Sequence, residues 1–164
     1  MNQPEILIVG AGGMGALFGS ILHENGLKVV LYDTNTEHIR AIQQAGLKIE
    51  GYGGDRTIPI AATSNLSELE SAEIIIFQCK SHGTRQAAKA VRPLITQESV
   101  CISFQNGLGN EEVMAEELGK DSVMGGLTAM AGVLLEPGKI RDFSRVPSHI
   151  GEMRGGISER AQTI

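Results

Sequence analysis

A doubly wound α/β fold, with a mostly parallel sheet, helices on both faces and an added antiparallel edge, is predicted by three features of the chain. Short apolar runs recur at Ile6-Leu7-Ile8-Val9, Val29-Val30-Leu31-Tyr32, Ile74-Ile75-Ile76-Phe77 and Val100-Cys101-Ile102-Ser103-Phe104. Their unbroken hydrophobicity is that of strands buried on both faces. Segments of helical period separate several of them, as parallel pairing requires. Glycine, at 21 of 164 residues, is nearly twice its usual share of about 7% and gathers in the loops that begin or end the runs.

The first run enters Gly10-Ala11-Gly12-Gly13-Met14-Gly15, and Met14, Leu17, Phe18, Ile21 and Leu22 then mark one face of a helix. Gly10-x-Gly12-x-x-Gly15 between strand and helix is a Rossmann-like phosphate-binding turn. Gly10 permits the tight turn, Gly12 lets backbone approach a pyrophosphate, and Gly15 lets the helix lie close to the strand. The helix N-terminus adds unpaired N–H groups and positive partial charge. Asn25-Gly26 stops this helix. The second strand ends at Asp33, near the distance of about 20 residues at which an acid accepts hydrogen bonds from the adenosine ribose. A carboxylate there repels a 2′-phosphate, so NAD(H) is the expected cofactor. Thr34, Thr36 and Arg40 leave NADP(H) open, and Asp33 as a simple turn residue is the alternative.

Thr34-x-x-Glu37 reads as a capping box opening a helix over residues 36 to 45, with Ile39 and Ile42 inward and Gly46 as its stop. Leu47-Lys48-Ile49-Glu50 and Thr57-Ile58-Pro59-Ile60 alternate and predict a hairpin, with Pro59 on an edge strand. Residues 67 to 72 predict a helical turn. The strand at 74 to 77 leads to Gln78-Cys79-Lys80-Ser81. Ligands bind at the C-terminal ends of strands in open α/β sheets, so Lys80 is either a phosphate or carboxylate ligand or a solvated loop residue. Ser81 is a candidate cap for a helix from about Thr84 to Arg92 that stops near Pro93.

The strand at 100 to 104 leads to Gln105-Asn106-Gly107-Leu108-Gly109. Asn106 offers a donor and an acceptor to a carboxamide or substrate oxygen, although Asn-Gly is also an ordinary turn. Asn110 is the expected cap of the next helix, with Glu111 and Glu112 in its first turn and Gly119 at its end. Beyond Val123, short strand patterns around a Glu136-Pro137-Gly138-Lys139 turn are expected to close the sheet edge. Met124 and Met130 read as packing residues. The stretch from Arg154 to Ile164 is polar and without apolar periodicity.

The net charge of -5 gives no basic field for nucleic acid or anionic lipid, so a small-molecule partner is expected. No apolar run approaches the roughly 20 residues that span a bilayer, and the first five residues carry no leader pattern. A cytoplasmic location follows as an expectation. Cys79 and Cys101 lie in apolar strand patterns and read as buried thiols. The histidines, His23, His38, His82 and His149, lack metal-ligand spacing, so no metal is expected.

Taken together these motifs resemble the ketopantoate reductase (2-dehydropantoate 2-reductase) family, specifically its N-terminal dinucleotide-binding domain. The resemblance rests on Gly10 to Gly15, Phe77-Gln78-Cys79-Lys80, Gln105 to Gly109, Met124-Gly125-Gly126-Leu127-Thr128 with the Glu136-Pro137-Gly138 turn, and His149-Ile150-Gly151-Glu152. It implies that the backbone of Gly10, Ala11, Gly12, Gly13, Met14 and Gly15 holds the pyrophosphate. It further implies that Lys80 contacts cofactor and substrate, Asn106 touches both, and Ala131 adds a backbone contact to the cofactor. The family reduces the C2 ketone of 2-dehydropantoate to pantoate on the route to pantothenate and coenzyme A.

On this reading residues 1–153 are the dinucleotide-binding domain, and 154–164 begin a linker to a C-terminal helical domain absent from the chain. That domain is expected to carry the general-acid lysine, most substrate contacts and a homodimer interface, so no catalytic residue is assigned in the chain itself. The family default is NADP(H), whereas Asp33 favours NAD(H) and with it an NAD-dependent D-2-hydroxy acid dehydrogenase as the alternative enzyme. A non-enzymatic NAD(H)-sensing module is the second alternative.

Overall fold

The computed structural model describes residues 3–164. Met1 and Asn2, with which the predicted 1–153 domain opens, lie outside the described residues. The order is β1 (Ile6–Val9), α1 (Gly13–Glu24), β2 (Val29–Tyr32), α2 (Thr36–Ala45), β3 (Leu47–Gly51), β4 (Arg56–Ile58), β5 (Ala61–Thr63), β6 (Ile74–Phe77) and α3 (Thr84–Val91). There follow β7 (Val100–Ser103), α4 (Asn110–Leu118), β8 (Val123–Leu127), β9 (Ala131–Glu136), β10 (Lys139–Ser144), β11 (His149–Glu152) and α5 (Glu159–Thr163).

The main sheet has seven strands in the order β11-β8-β7-β6-β1-β2-β5. All its pairings are parallel except that of β11 with β8, which supplies the predicted antiparallel edge. The chain runs outward from β1 through β2 and then returns to β6 on the other side. The topological switch therefore falls between β1 and β6, where such sheets bind ligands beyond their carboxyl ends. Both faces are covered. Ile6, Ile8 and Leu31 pack with Leu17 and Phe18 of α1 on one side, and Leu7, Ile75 and Phe77 pack with Ala88 and Val91 of α3 and Met114 of α4 on the other. Alternation within each fully apolar strand thus feeds two cores at once.

A second sheet, β4-β3-β10-β9, stands beside the first. The predicted hairpin forms its β3–β4 half, with β4 on the edge and Pro59 just past its end. The expectation that the strands after Val123 all close the main sheet is corrected here. Only β8 and β11 do so, while β9 and β10 pair with each other and β10 pairs in parallel with β3. The reason is burial: Ile140, fully buried on β10, shares a core with Leu47 and Ile49 of β3.

Several local expectations also change. Asn35, not Thr34, caps α2, its side chain accepting from the His38 N–H at 3.1 Å. Ser81 does not cap α3, which starts after Gly83 without a side-chain cap. Asn110 is the first helical residue of α4, and Gly109, in the left-handed region at φ 91°, is the cap. The turn at 67 to 72 is a single 3-10 turn at Leu66–Glu68. Cys101 is buried within β7, but Cys79 is only half-buried and lies beyond the end of β6. Residues 159–163 form a short helix tied back by Arg160, which grips Glu152 through Nε–Oε1 at 2.7 Å and Nη2–Oε2 at 2.5 Å. Among the described residues no helix is long and apolar enough to cross a membrane.

Candidate nucleotide-binding site

The glycine turn is shaped by close approach on three sides. Gly10 has φ 98°, and a Cβ there would lie 2.5 Å from the Cys79 nitrogen and 2.8 Å from the Gln78 carbonyl carbon. A Cβ at Gly15 would collide with the Gly10 carbonyl oxygen, which is why helix and turn can touch. Gly13 has a reason that the sequence did not reveal: a Cβ there would come within 2.5 Å of Val133 Cα, because β9 of the second sheet crosses the start of α1. Gly12 differs from all three. It has an ordinary φ of -62°, and a Cβ built on it meets nothing within 4 Å. Of the four glycines of the turn, Gly12 alone faces open space, the position at which a pyrophosphate would approach.

The start of α1 is also electrostatically open. It has no side-chain cap and no acidic residue in its first turn. The start of α3 is likewise uncapped and free of acid, whereas α2 is capped by Asn35 and α4 carries Glu111 and Glu112 in its first turn. Uncapped N–H groups and the positive end of the helix dipole are therefore offered at α1.

Asp33 stands at the end of β2 and lines the same cleft as Gly10, Gly12 and Lys80, a space of about 430 Å³. Its Oδ2 accepts from the Ala11 N–H at 2.8 Å and its Oδ1 from the Asn35 N–H at 2.9 Å. The carboxylate thus holds the turn to the strand end. With roughly four lone-pair positions in all, it retains acceptor capacity for a ribose hydroxyl. Lys80 is exposed at the carboxyl end of β6. Burial pushes the Cys79 thiol above its ordinary range, and the charge of Asp33 adds to this. Both effects disfavour the Cys79 thiolate.

Asn106 is exposed beyond β7, and its loop is tied to that of Lys80. Ser81 Oγ donates to the Asn106 carbonyl at 2.9 Å. Beneath it, Gln105 Nε2 donates to the Cys79 carbonyl at 2.7 Å and to Thr84 Oγ1 at 2.8 Å, and Thr84 Oγ1 donates to Asn110 Oδ1 at 3.1 Å. Asn110 Nδ2 closes the network on the Asn106 carbonyl at 3.2 Å. A buried polar network with every member paired fixes both loops at once. Gln105, Thr84 and Asn110 were missed as a group, because only the fold brings residues of three separate segments together. Ala131, at the start of β9, is carried to the glycine turn by its neighbour, since a Cβ at Gly132 would lie 3.0 Å from the Gly13 carbonyl oxygen.

His38 was also missed. Its ring is 1% exposed on the inner face of α2. Nε2 donates to the Ala11 carbonyl at 2.8 Å, while Nδ1 accepts from the Gly138 N–H at 2.9 Å. The signal in the sequence was its place beside Ile39 and one turn before Ile42, on the apolar stripe.

A glycine turn with open space at Gly12, an uncapped helix start, an acid just past the second strand and the switch point of a mostly parallel sheet together mark a Rossmann-like α/β fold. Comparison with known proteins narrows the class. A family model described as ketopantoate reductase PanE/ApbA matches residues 6–155. The chain belongs to the ketopantoate reductase family. It is 36% identical over 137 residues to the 2-dehydropantoate 2-reductase of Pyrococcus abyssi, covering 84% of this chain and 44% of that protein. The crystal structure of 2-dehydropantoate 2-reductase from Geobacter metallireducens superposes with TM-score 0.88 at 27% identity, over 96% of this chain and 52% of that one. D-mandelate dehydrogenase with NADH and anilino(oxo)acetate has the same fold, with TM-score 0.84 at 24% identity over 96% of this chain and 51% of that one. The chain spans about half the length of the curated relatives it matches.

Proposed function

We propose that this chain is the cofactor-binding half of an NAD(P)-dependent reductase that converts 2-dehydropantoate to pantoate. The observation that carries the reading is the uncapped, acid-free start of α1 at a turn with open space beside Gly12, in a chain of the ketopantoate reductase family. The residues present fit a dinucleotide. Backbone from Gly10 to Gly15 would hold the pyrophosphate, Asp33 the adenosine ribose, and Ala131 a further part of the cofactor through its backbone. Lys80 would meet cofactor and substrate, its ammonium suited to the carboxylate of a 2-keto acid. Asn106, set by the Ser81 and Asn110 bonds to its backbone, would orient nicotinamide and substrate through its amide. When bound, the reduced nicotinamide supplies the hydride for the C2 ketone. The proton for the resulting alkoxide would come from the lysine that the family resemblance implies in a helical C-terminal half, so residues 1–164 alone should bind cofactor and turn over little.

The test uses the complete protein with NADH or NADPH and 2-dehydropantoate. Pantoate formation that falls strongly in Lys80→Ala and Asn106→Ala supports the reading. Asp33 favours one second reading, an NAD-dependent D-2-hydroxy acid dehydrogenase. Faster reduction of another branched 2-keto acid than of 2-dehydropantoate would move the assignment there. NADH binding without reduction of any 2-keto acid, and signalling unchanged in both variants, would instead favour an NAD(H) sensor.

A further inference from the structure

We infer that His38 is a positioning residue for dinucleotide binding, one that aims the phosphate-binding turn through the Ala11 carbonyl. The inference rests on the cofactor reading given above.

The Ala11 peptide group is pinned at both ends of the residue: its N–H to Asp33 Oδ2 at 2.8 Å and its carbonyl to His38 Nε2 at 2.8 Å. The Ala11–Gly12 bond is trans, since there are no cis peptides among the described residues. In a planar trans unit the N–H points opposite to the carbonyl. By drawing the Ala11 oxygen inward, His38 turns the Gly12 N–H outward, toward the open side of the turn. A side chain that merely filled the space would leave that peptide free to rotate, and a rotated peptide would present an oxygen to a phosphate.

The ring is itself fixed. It is buried, its Nδ1 accepts from Gly138, and this leaves the hydrogen on Nε2. Gly138 lies in the turn between β9 and β10, close against α2, where a Cβ would fall 2.8 Å from that of Ala41. The second sheet thus supports the phosphate turn twice, by the packing of Val133 on Gly13 and by the Gly138–His38–Ala11 relay. A carboxylate or ammonium at position 38 could not donate to one backbone group and accept from the other. Neutral imidazole can.

The two ring nitrogens can be separated by substitution. In His38→Gln the amide reaches the Nε2 position and can donate to Ala11. In His38→Asn it reaches only the Nδ1 position and can accept from Gly138. Dissociation constants for NADH would be measured by calorimetry beside thermal melting of the same samples. The expected result is that His38→Asn binds NADH about tenfold more weakly than the unchanged chain, and His38→Gln within about threefold of it, whichever variant melts higher. Equal NADH affinity in the two variants, or affinity that merely follows melting temperature, would overturn the role of His38. If the unchanged chain binds neither NADH nor NADPH, the cofactor reading itself fails, and the positioning role with it.

Discussion

Substituting Gly12 by alanine should separate cofactor binding from stability. The added methyl meets no atom within 4 Å, and the backbone at φ -62° and ψ -165° lies in the extended region open to alanine. The reduced freedom of the unfolded chain then stabilises the variant by about 0.4–1 kcal/mol, equivalent to a rise of roughly 1–4 °C for a domain of this size. At Gly10 the same methyl is doubly penalised. A positive φ costs about 1–2 kcal/mol, and overlap with the Cys79 and Gln78 backbone adds about 1–3 kcal/mol. Gly10→Ala should therefore lose about 2–5 kcal/mol, a large part of a total stability of about 5–15 kcal/mol. For binding the expectation reverses, because the methyl at residue 12 enters the open space beside the turn. Gly12→Ala should melt as high as the parent yet bind NADH at least about tenfold more weakly, the equivalent of about 1.4 kcal/mol. Melting followed by fluorescence and a calorimetric titration would measure both quantities. Full NADH affinity in Gly12→Ala would refute the placement of the pyrophosphate, and a drop in melting temperature would refute the account of the open turn.

Three further outcomes are expected. NADH should bind more tightly than NADPH, and Asp33→Ala should narrow that gap while lowering the melting temperature through loss of the Ala11 and Asn35 bonds; tighter NADPH binding to the unchanged chain would contradict the ribose assignment. The Arg160 guanidinium, with the Ser158 hydroxyl, holds the Glu152 carboxyl at about 2, below its ordinary 4.5. The stabilisation is then complete above about pH 4.5 and lost as pH falls toward 2, so acid titrations of stability should show a smaller loss across that window in Glu152→Gln than in the parent. Burial pushes the Cys101 thiol up to about 12. A thiol reagent at neutral pH should modify Cys101 only when the chain unfolds, as mass spectrometry with and without denaturant would show.

The half of the fold around β1, α1 and β2 was legible because each signal there is local. An unbroken apolar run, a glycine spacing and an acid at the next strand end each bear on a few neighbouring residues. The second sheet was not legible as a unit. Its hairpin could be read from the alternation at residues 47 to 50, but the parallel pairing of Lys48 with Lys139 joins segments far apart in sequence, and no local pattern specifies it. β5 escaped because Ala61-Ala62-Thr63 has neither length nor period, and it is a strand only because it lies along β2. The site divides in the same way. Gly10 to Gly15, Asp33, Lys80 and Asn106 all fall at strand ends, so alternation of strand and helix was enough to nominate them. Gln105 and His38 act on backbone groups from distant segments. Polar residues inside apolar stripes mark such places, and His38 beside Ile39 was the one visible sign.

The central claim is that a dinucleotide lies across the turn at the carboxyl ends of β1, β2 and β6. Amide resonances of residues 1–164 followed during titration with NADH test it most directly. Saturable shifts centred on Gly10 to Gly15, with Asp33, Lys80 and Asn106 affected and the outer strands β4 and β11 quiet, are the predicted result. Shifts centred elsewhere, or none at concentrations of NADH that saturate the complete protein, would contradict it.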